Sequence, residues 1–188
     1  RFPLILCPFN SFLHLYTRRD VERFLAGVRG LLSPGGLFAF DVVHPDPTWL
    51  ARPPGRRFAR TRMRHPTTGE RLIYSTSHVY DPETQIAWIQ FFYEPDLRSD
   101  ASATGTRTSE GARRAARGVP ARRSAGSGRA APPAGTRVVR LAQRLFFPAE
   151  LESLLHYNGF AITYRAGGFD GSPLTPVSSE QVICARVR

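Results

Sequence analysis

Apolar and polar positions fall into two periods along this chain, and the first quarter shows one of them clearly. Residues 2–7, Phe-Pro-Leu-Ile-Leu-Cys, make an apolar run, and Cys7-Pro-Phe-Asn-Ser-Phe12 then brings in turn formers. From Val21 the apolar residues recur at Phe24, Leu25, Val28, Leu31 and Leu32, the spacing of one helical face. Thr17-Arg-Arg-Asp20 ahead of it has the form of a capping box, in which a hydroxyl and a carboxylate satisfy each other's backbone N–H. Ser33-Pro-Gly-Gly36 ends the helix, and residues 37–43, Leu-Phe-Ala-Phe-Asp-Val-Val, form a second apolar run. The pattern predicts strand, helix, strand in a parallel sheet, with polar residues gathered at the strand ends, where α/β proteins bind ligands.

Past Val43 the period shortens to two. His44-Pro-Asp-Pro47 and Arg52-Pro-Pro-Gly55 break the chain, and alternating runs follow over residues 71–80 and 85–93, joined by Asp81-Pro-Glu-Thr84. Alternating runs around a short turn predict a hairpin. Residues 137–147 alternate in the same way and are expected to pair with it as a third strand, which lets the sheet bury one apolar face. A complete helix is then expected from Phe147-Pro-Ala-Glu, with Pro148 in its first turn, Glu150 and Glu152 near its positive end and Gly159 after its last turn. Residues 160–165 and 181–187 are two further strands, separated by a loop that contains Gly167-Gly-Phe-Asp-Gly171.

Composition narrows the classes. The chain has 188 residues, 41% of them apolar, enough for one core of ordinary size. Its two cysteines lie inside apolar runs without Cys-x-x-Cys or Cys/His neighbours, which points to a reducing, cytoplasmic setting and away from structural zinc. No apolar stretch approaches the roughly 18 residues of a membrane span. A core strand that begins next to Arg1 makes an N-terminally incomplete fragment the expectation.

All 26 basic residues are arginine, and most of the +11 net charge sits between Leu97 and Arg137, where nine arginines face two acids. Residues 97–135 carry no aromatic and almost no large aliphatic side chain, so they cannot form a core. Three readings fit: a disordered insertion, an arm that neutralises nucleic-acid phosphates, or a GC-rich stretch read out of frame. The lack of interleaved aromatics for base stacking favours the insertion over a nucleic-acid partner.

Several chemistries are excluded by motif. There is no Gly-x-Ser-x-Gly elbow, no Walker loop, no His-Glu-x-x-His, no Gly-x-Gly-x-x-Gly after a strand, and no metal-ligand spacing among the five histidines. What remains is the order of elements. Leu4-Ile-Leu-Cys-Pro-Phe-Asn-Ser-Phe-Leu-His-Leu15, Leu31-Leu-Ser-Pro-Gly-Gly-Leu-Phe-Ala-Phe-Asp41 and Phe147-Pro-Ala-Glu-Leu-Glu-Ser-Leu-Leu-His-Tyr-Asn-Gly-Phe160 resemble, in this order, the C-terminal part of a class I S-adenosylmethionine-dependent methyltransferase.

The resemblance implies an α/β fold, the C-terminal half of a Rossmann-like methyltransferase sheet with an antiparallel β lid insertion. Residues 1–47 would supply strand, helix and strand of the core; 48–96 and 136–146 the lid; 97–135 the Arg-rich insertion; 147–188 the last helix and an antiparallel strand pair. It implies methyl transfer from S-adenosylmethionine to an N or O nucleophile of a small molecule, as in amino-sugar N-methyltransferases, with no metal. The family's first three strands, with the Gly-rich cofactor loop and the ribose-binding acid, have no counterpart here, which leaves the first strand as an open edge able to self-associate. A non-catalytic partner subunit that pairs this strand with another chain is the competing reading.

The turn after the family's fourth strand touches the cofactor, which maps to Cys7, Pro8, Phe9 and Asn10; a buried apolar cysteine for Cys7 and a place in the core or pocket wall for Phe9 are the alternatives. His14 and His44, each just past a strand end, are candidate bases for the nucleophile's proton, against the commoner fate of a solvated or hydrogen-bonded histidine. Asp41, Tyr74, Trp88, Arg140, Gln143 and Arg144 are candidate substrate contacts. Turn capping by Asp41, lid packing by the aromatics and a solvated strand face for the arginines are the alternatives.

Overall fold

The computed structural model describes residues 1–97 and 134–188. All of the expected Arg-rich insertion except its ends therefore lies outside the described residues. The chain runs through β1 (Phe2–Cys7), a 3-10 turn (Ser11–His14), α1 (Arg18–Leu31), β2 (Leu32–Val43) and the short α2 (Pro47–Leu50). Then come β3 (Phe58–Arg64), β4 (Arg71–Asp81), β5 (Ile86–Pro95), β6 (Arg137–Arg144), α3 (Pro148–Tyr157), β7 (Phe160–Ala166) and β8 (Glu180–Val187).

Two four-stranded sheets result, one ordered β1-β2-β8-β7 and one β3-β4-β5-β6. In the first, β1 and β2 run parallel, while β8 is antiparallel to both β2 and β7. The second is antiparallel throughout and contains the expected hairpin, with β6 paired to β5.

α1 forms where the pattern places it. The Asp20 N–H donates to Thr17 Oγ1 at 3.1 Å and the Thr17 N–H donates to Asp20 Oδ2 at 3.0 Å, a complete capping box. Val21, Leu25 and Val28 are buried against Phe38, Phe40 and Val42 of β2, Ile183 and Ala185 of β8, and Leu151 and Leu155 of α3. Leu31, assigned by spacing to the same face, is exposed at the helix end. Both helices thus cover one face of the sheet.

On the other face, β1 is open. Side chains alternate across a strand, so Leu4 and Leu6, opposite Leu37 and Ala39, point away from the helices. Phe2 (54%), Leu4 (47%) and Leu6 (61%) are exposed there. β1 has no partner on its outer edge among the described residues.

Three departures from the sequence pattern have physical causes. Pro34-Gly-Gly36 is not a separate turn: β2 starts at Leu32, which pairs with Phe2, while Leu37 pairs with Leu4. The surplus residues bulge, with Gly35 at φ 71°. α2 begins at Pro47 behind an Asp46 cap that accepts from the Thr48 N–H at 2.8 Å, so a helical turn lies between the two segments read as chain breaks. β3, Phe-Ala-Arg-Thr-Arg-Met-Arg, is an almost wholly exposed edge strand that its charge keeps from further pairing.

A Cβ on Gly36 would lie 2.9 Å from the Ser33 carbonyl oxygen and 3.1 Å from that of Phe2, whereas one on Gly27 in α1 meets nothing within 4 Å. Gly36→Ala is therefore expected to destabilise by about 1–3 kcal/mol. Gly27→Ala should stabilise by up to about 1 kcal/mol. Urea unfolding of the two variants checks the opposite signs.

Candidate functional site

β1 and β2 part company at their carboxyl ends, and two side chains bridge the gap. Phe9 and Asn10 both have left-handed backbone, φ 58° and 59°. Their N–H groups converge on the Asp41 carboxylate, Phe9 to Oδ1 at 2.9 Å and Asn10 to Oδ2 at 3.1 Å. In return, the Val43 N–H donates to Asn10 Oδ1. The backbone donors of this turn are thus consumed inside the chain. What it offers outward is side chain, above all Phe9, which is 90% exposed.

Beside the turn lies a cleft of about 660 Å³ at the carboxyl end of β2. Asn10, His44, Asp46, Trp49, Ile89, Gln143 and Leu145 line it together with residues 176–179 of the loop before β8. The His44 N–H donates to the Ser179 carbonyl at 2.9 Å, which fixes the backbone, while its Nδ1 is buried without a hydrogen-bond partner among the described residues. Gln143 reaches the cleft from β6 and Ile89 from β5. The antiparallel sheet thus closes one side.

α2 is held over this cleft by His78. The imidazole stacks on Trp49 at 3.6 Å and 7°, and its Nε2–H donates to the Trp49 carbonyl oxygen at 2.8 Å. Burial pushes the His78 pKa below its ordinary 6.5, the Trp49 hydrogen bond pulls the other way, and Arg52 lowers it further.

The remaining candidates are dispersed. Cys7 is half-buried at the end of β1, and burial, with the nearby Asp41 carboxylate adding to it, pushes its thiol up from 9.0. Pro8 is exposed beside it. His14 is exposed and its Nδ1 lies 3.2 Å from the Tyr16 hydroxyl, which donates to the Ala142 carbonyl oxygen. Tyr74 packs on Phe91 and Tyr93 away from the cleft. Trp88 and Arg140 line a separate hollow of about 360 Å³ on the antiparallel sheet. Arg144 donates to Glu150 Oε1 at 2.6 Å and to Gln85, with its guanidinium over the Phe146 ring, and so ties β6 to α3. Of the twelve candidates the cleft collects Asn10, His44 and Gln143.

No family model matches this sequence, and no curated protein matches it by sequence. Solved structures do match it in shape. The CcbJ methyltransferase from Streptomyces caelestis superposes over 100% of the chain with TM-score 0.66 and 16% identity. An S-adenosylmethionine-dependent methyltransferase from Clostridium acetobutylicum also covers 100% of it, with TM-score 0.61 and 14% identity. CalS10, an amino pentose methyltransferase from Micromonospora echinaspora solved with its cofactor bound, covers 97%, with TM-score 0.55 and 13% identity.

The fold is that of class I S-adenosylmethionine-dependent methyltransferases, in part. The chain spans 57%, 58% and 58% of the length of those three proteins. Within this methyltransferase fold, the carboxyl end of β1 presents a fixed turn and an outward aromatic ring. β1, Phe-Pro-Leu-Ile-Leu-Cys, brings no acid that could hold a ribose along its open edge.

Trp49, Leu145 and residues 176–179 were not foreseen as cleft residues. Asp46-Pro47, a capping residue followed by proline, was the available signal for α2 and hence for Trp49. The 176–179 loop carries no comparable pattern. Because the folded pKa of His78 is depressed, its contribution to stability is present above pH 6.5 and is lost as pH falls toward the folded value. Thermal unfolding followed from pH 7.5 to 4.5 should show this loss, and His78→Phe should flatten that part of the profile.

Proposed function

We propose that this chain belongs to an enzyme that transfers a methyl group from S-adenosylmethionine to an N or O nucleophile of a small molecule, and that it supplies the acceptor cleft and one wall of the cofactor site. The observation that carries the reading is the cleft itself, set at the carboxyl end of a parallel strand pair and lined by His44, whose ring Nδ1 is buried with no hydrogen-bond partner among the described residues. Ligands of α/β sheets bind at strand carboxyl ends. A buried polar atom without a partner is costly and calls for a ligand or a function.

In this reading Cys7, Pro8, Phe9 and Asn10 line the cofactor, which when bound supplies an electrophilic methyl group. The His44 imidazole takes the proton of the acceptor amine or hydroxyl, and Gln143 and Asn10 orient it. Methyl transfer is an in-line displacement, so positioning contributes most and a base adds a smaller factor. His14 is the second candidate base; its engagement with Tyr16 makes it the weaker one. The antiparallel sheet serves as the wall that excludes water.

The bare face of β1 supports a further requirement. Parallel strand pairs are normally covered on both faces, so an element that shields Phe2, Leu4 and Leu6 is expected, and without one the open edge of β1 favours self-association. For the chain alone we expect calorimetric titration with S-adenosylhomocysteine to show affinity no better than about 1 mM. NMR shifts at millimolar ligand should nevertheless centre on residues 7–10. Micromolar affinity would show that this wall suffices by itself, and the absence of shifts at residues 7–10 would sink the cofactor assignment. In size exclusion, Leu6→Lys should reduce the association; an elution unchanged by concentration or by that substitution would remove the open edge as its cause.

With an acceptor identified by screening amines and alcohols against labelled cofactor, His44→Gln should lower methyl transfer roughly a hundredfold, and His14→Gln only a few-fold. The reverse ranking would move the base to His14.

A further inference from the structure

We infer that Asp41 is a positioning residue: its carboxylate holds the Phe9–Asn10 turn in a strained conformation and thereby presents the Phe9 ring to the ligand at the carboxyl end of β1. The ligand half of this statement rests on the cofactor reading above; the turn half does not.

Two consecutive non-glycine residues at positive φ are uncommon. Asparagine tolerates that region, but phenylalanine is a poor occupant. Hydrophobic burial also opposes the arrangement, because Phe12 and Leu13, three and four residues on, are both fully buried while Phe9 is 90% exposed. A free turn would relax Phe9 toward extended backbone and lay its ring on the neighbouring apolar surface.

What prevents this is electrostatic. Successive N–H groups of a left-handed turn form a concave nest for an anion. Asp41, 5% exposed, fills that nest from β2 with one oxygen for each donor. The Asn10 side chain closes the arrangement by accepting from the Val43 N–H, so the turn is tied to β2 on both sides of Val42. Strain maintained by surrounding structure is a mark of ligand sites. The outward aromatic ring at a strand's carboxyl end is the group that this strain serves.

The test uses the full chain with isotope labelling. In Asp41→Asn one N–H faces an amide NH₂ instead of an oxygen. Hydrogen exchange at the Phe9 and Asn10 amides should accelerate about tenfold or more, the size expected for loss of a hydrogen bond to a charged group, while α1 amides stay unchanged. With Cys184 replaced by serine, the single remaining thiol, Cys7, should alkylate faster at pH 8 in Asp41→Asn, since one cause of its raised pKa is gone.

Adding Phe9→Gly to Asp41→Asn relieves the left-handed strain and should restore protection at Asn10. It should not restore the S-adenosylhomocysteine shifts at the turn, because the ring is missing. That split separates presentation of Phe9 from mere fold support. Exchange at Phe9 and Asn10 within twofold of the parent in Asp41→Asn overturns the latch. Accelerated exchange with undiminished ligand shifts at the turn overturns the presentation. If the parent shows no ligand shifts at all, the cofactor reading fails and with it the presentation, while the exchange data still decide the latch. Should Asp41→Asn not fold, Phe9→Gly alone decides: the presentation requires its ligand shifts to be lost with the fold intact, and retained shifts overturn it.

Discussion

One aromatic ring joins the parts of this molecule. Phe12, in the 3-10 turn after β1, stacks on Phe40 of β2 at 4.7 Å and meets Phe24 of α1 edge-on at 5.8 Å. It also meets Phe146, in the link from β6 to α3, at 5.2 Å. The first turn, the first helix, the parallel sheet and the connection back from the antiparallel sheet therefore share one contact. Aromatic pairs of this kind add about 0.5–1.5 kcal/mol each beyond the area they bury. Phe12 can occupy this place only because the chain reverses sharply after Cys7, so the carboxylate that shapes the turn and the ring that fills the core depend on each other. A buried apolar cluster fixes distances but not direction; the hydrogen bonds at Phe9, Asn10 and Val43 supply the direction.

The sheet built on this contact is unequal. Its helix-covered face packs Phe38, Phe40, Val42, Ile183 and Ala185 without solvent, while the opposite face leaves Phe2, Leu4 and Leu6 open. Exposed apolar residues scattered singly need no explanation, but three on alternate positions of one edge strand do. The solved structures that share this shape are longer, and the chain matches 57% of CcbJ from end to end of itself. Asymmetric burial and partial coverage thus agree without depending on each other, one being a matter of surface and the other of length.

How much could be read in advance depended on where the information lies. α1 was legible because its cap and its apolar face are local and periodic. The hairpin of β4 and β5 was legible from alternation, and so was β6, despite the Arg-rich stretch between them, because the alternation resumes with its apolar partners in place. α2 was missed because four residues are too few to show a helical face, and β3 because an exposed edge strand has no apolar alternation to read. The candidate site was legible only in outline. Its strand ends were visible as turn residues after apolar runs, but the partner of the first turn, Asp41, is 31–32 residues away. Spacing along the chain says nothing of a bond that three-dimensional registry creates. Arg144 illustrates the same limit from the other side: an arginine on an alternating strand reads as a solvent-facing or ligand-facing group, and its engagement with Glu150 depends on how α3 returns.

That return decides what kind of wall the antiparallel sheet makes. β6 runs through Leu145 and Phe146 into α3, and both residues are in the core. The Gln181 side chain donates from β8 to the Phe146 carbonyl at 2.9 Å, and Arg144 reaches Glu150 across the same corner. Both bonds are buried or half-buried, where low dielectric makes a satisfied pair stiff and a broken one costly. Gln143, immediately before this corner, therefore enters the cleft from a fixed backbone, while Trp49 enters it from α2, which is held by the stack on His78. A site whose walls are both anchored gains in orientation what it gives up in adaptability. For the methyl transfer proposed above, a displacement that would depend on alignment, that is the favourable exchange, and it makes the antiparallel sheet a mounted wall of the cleft rather than a hinged cover.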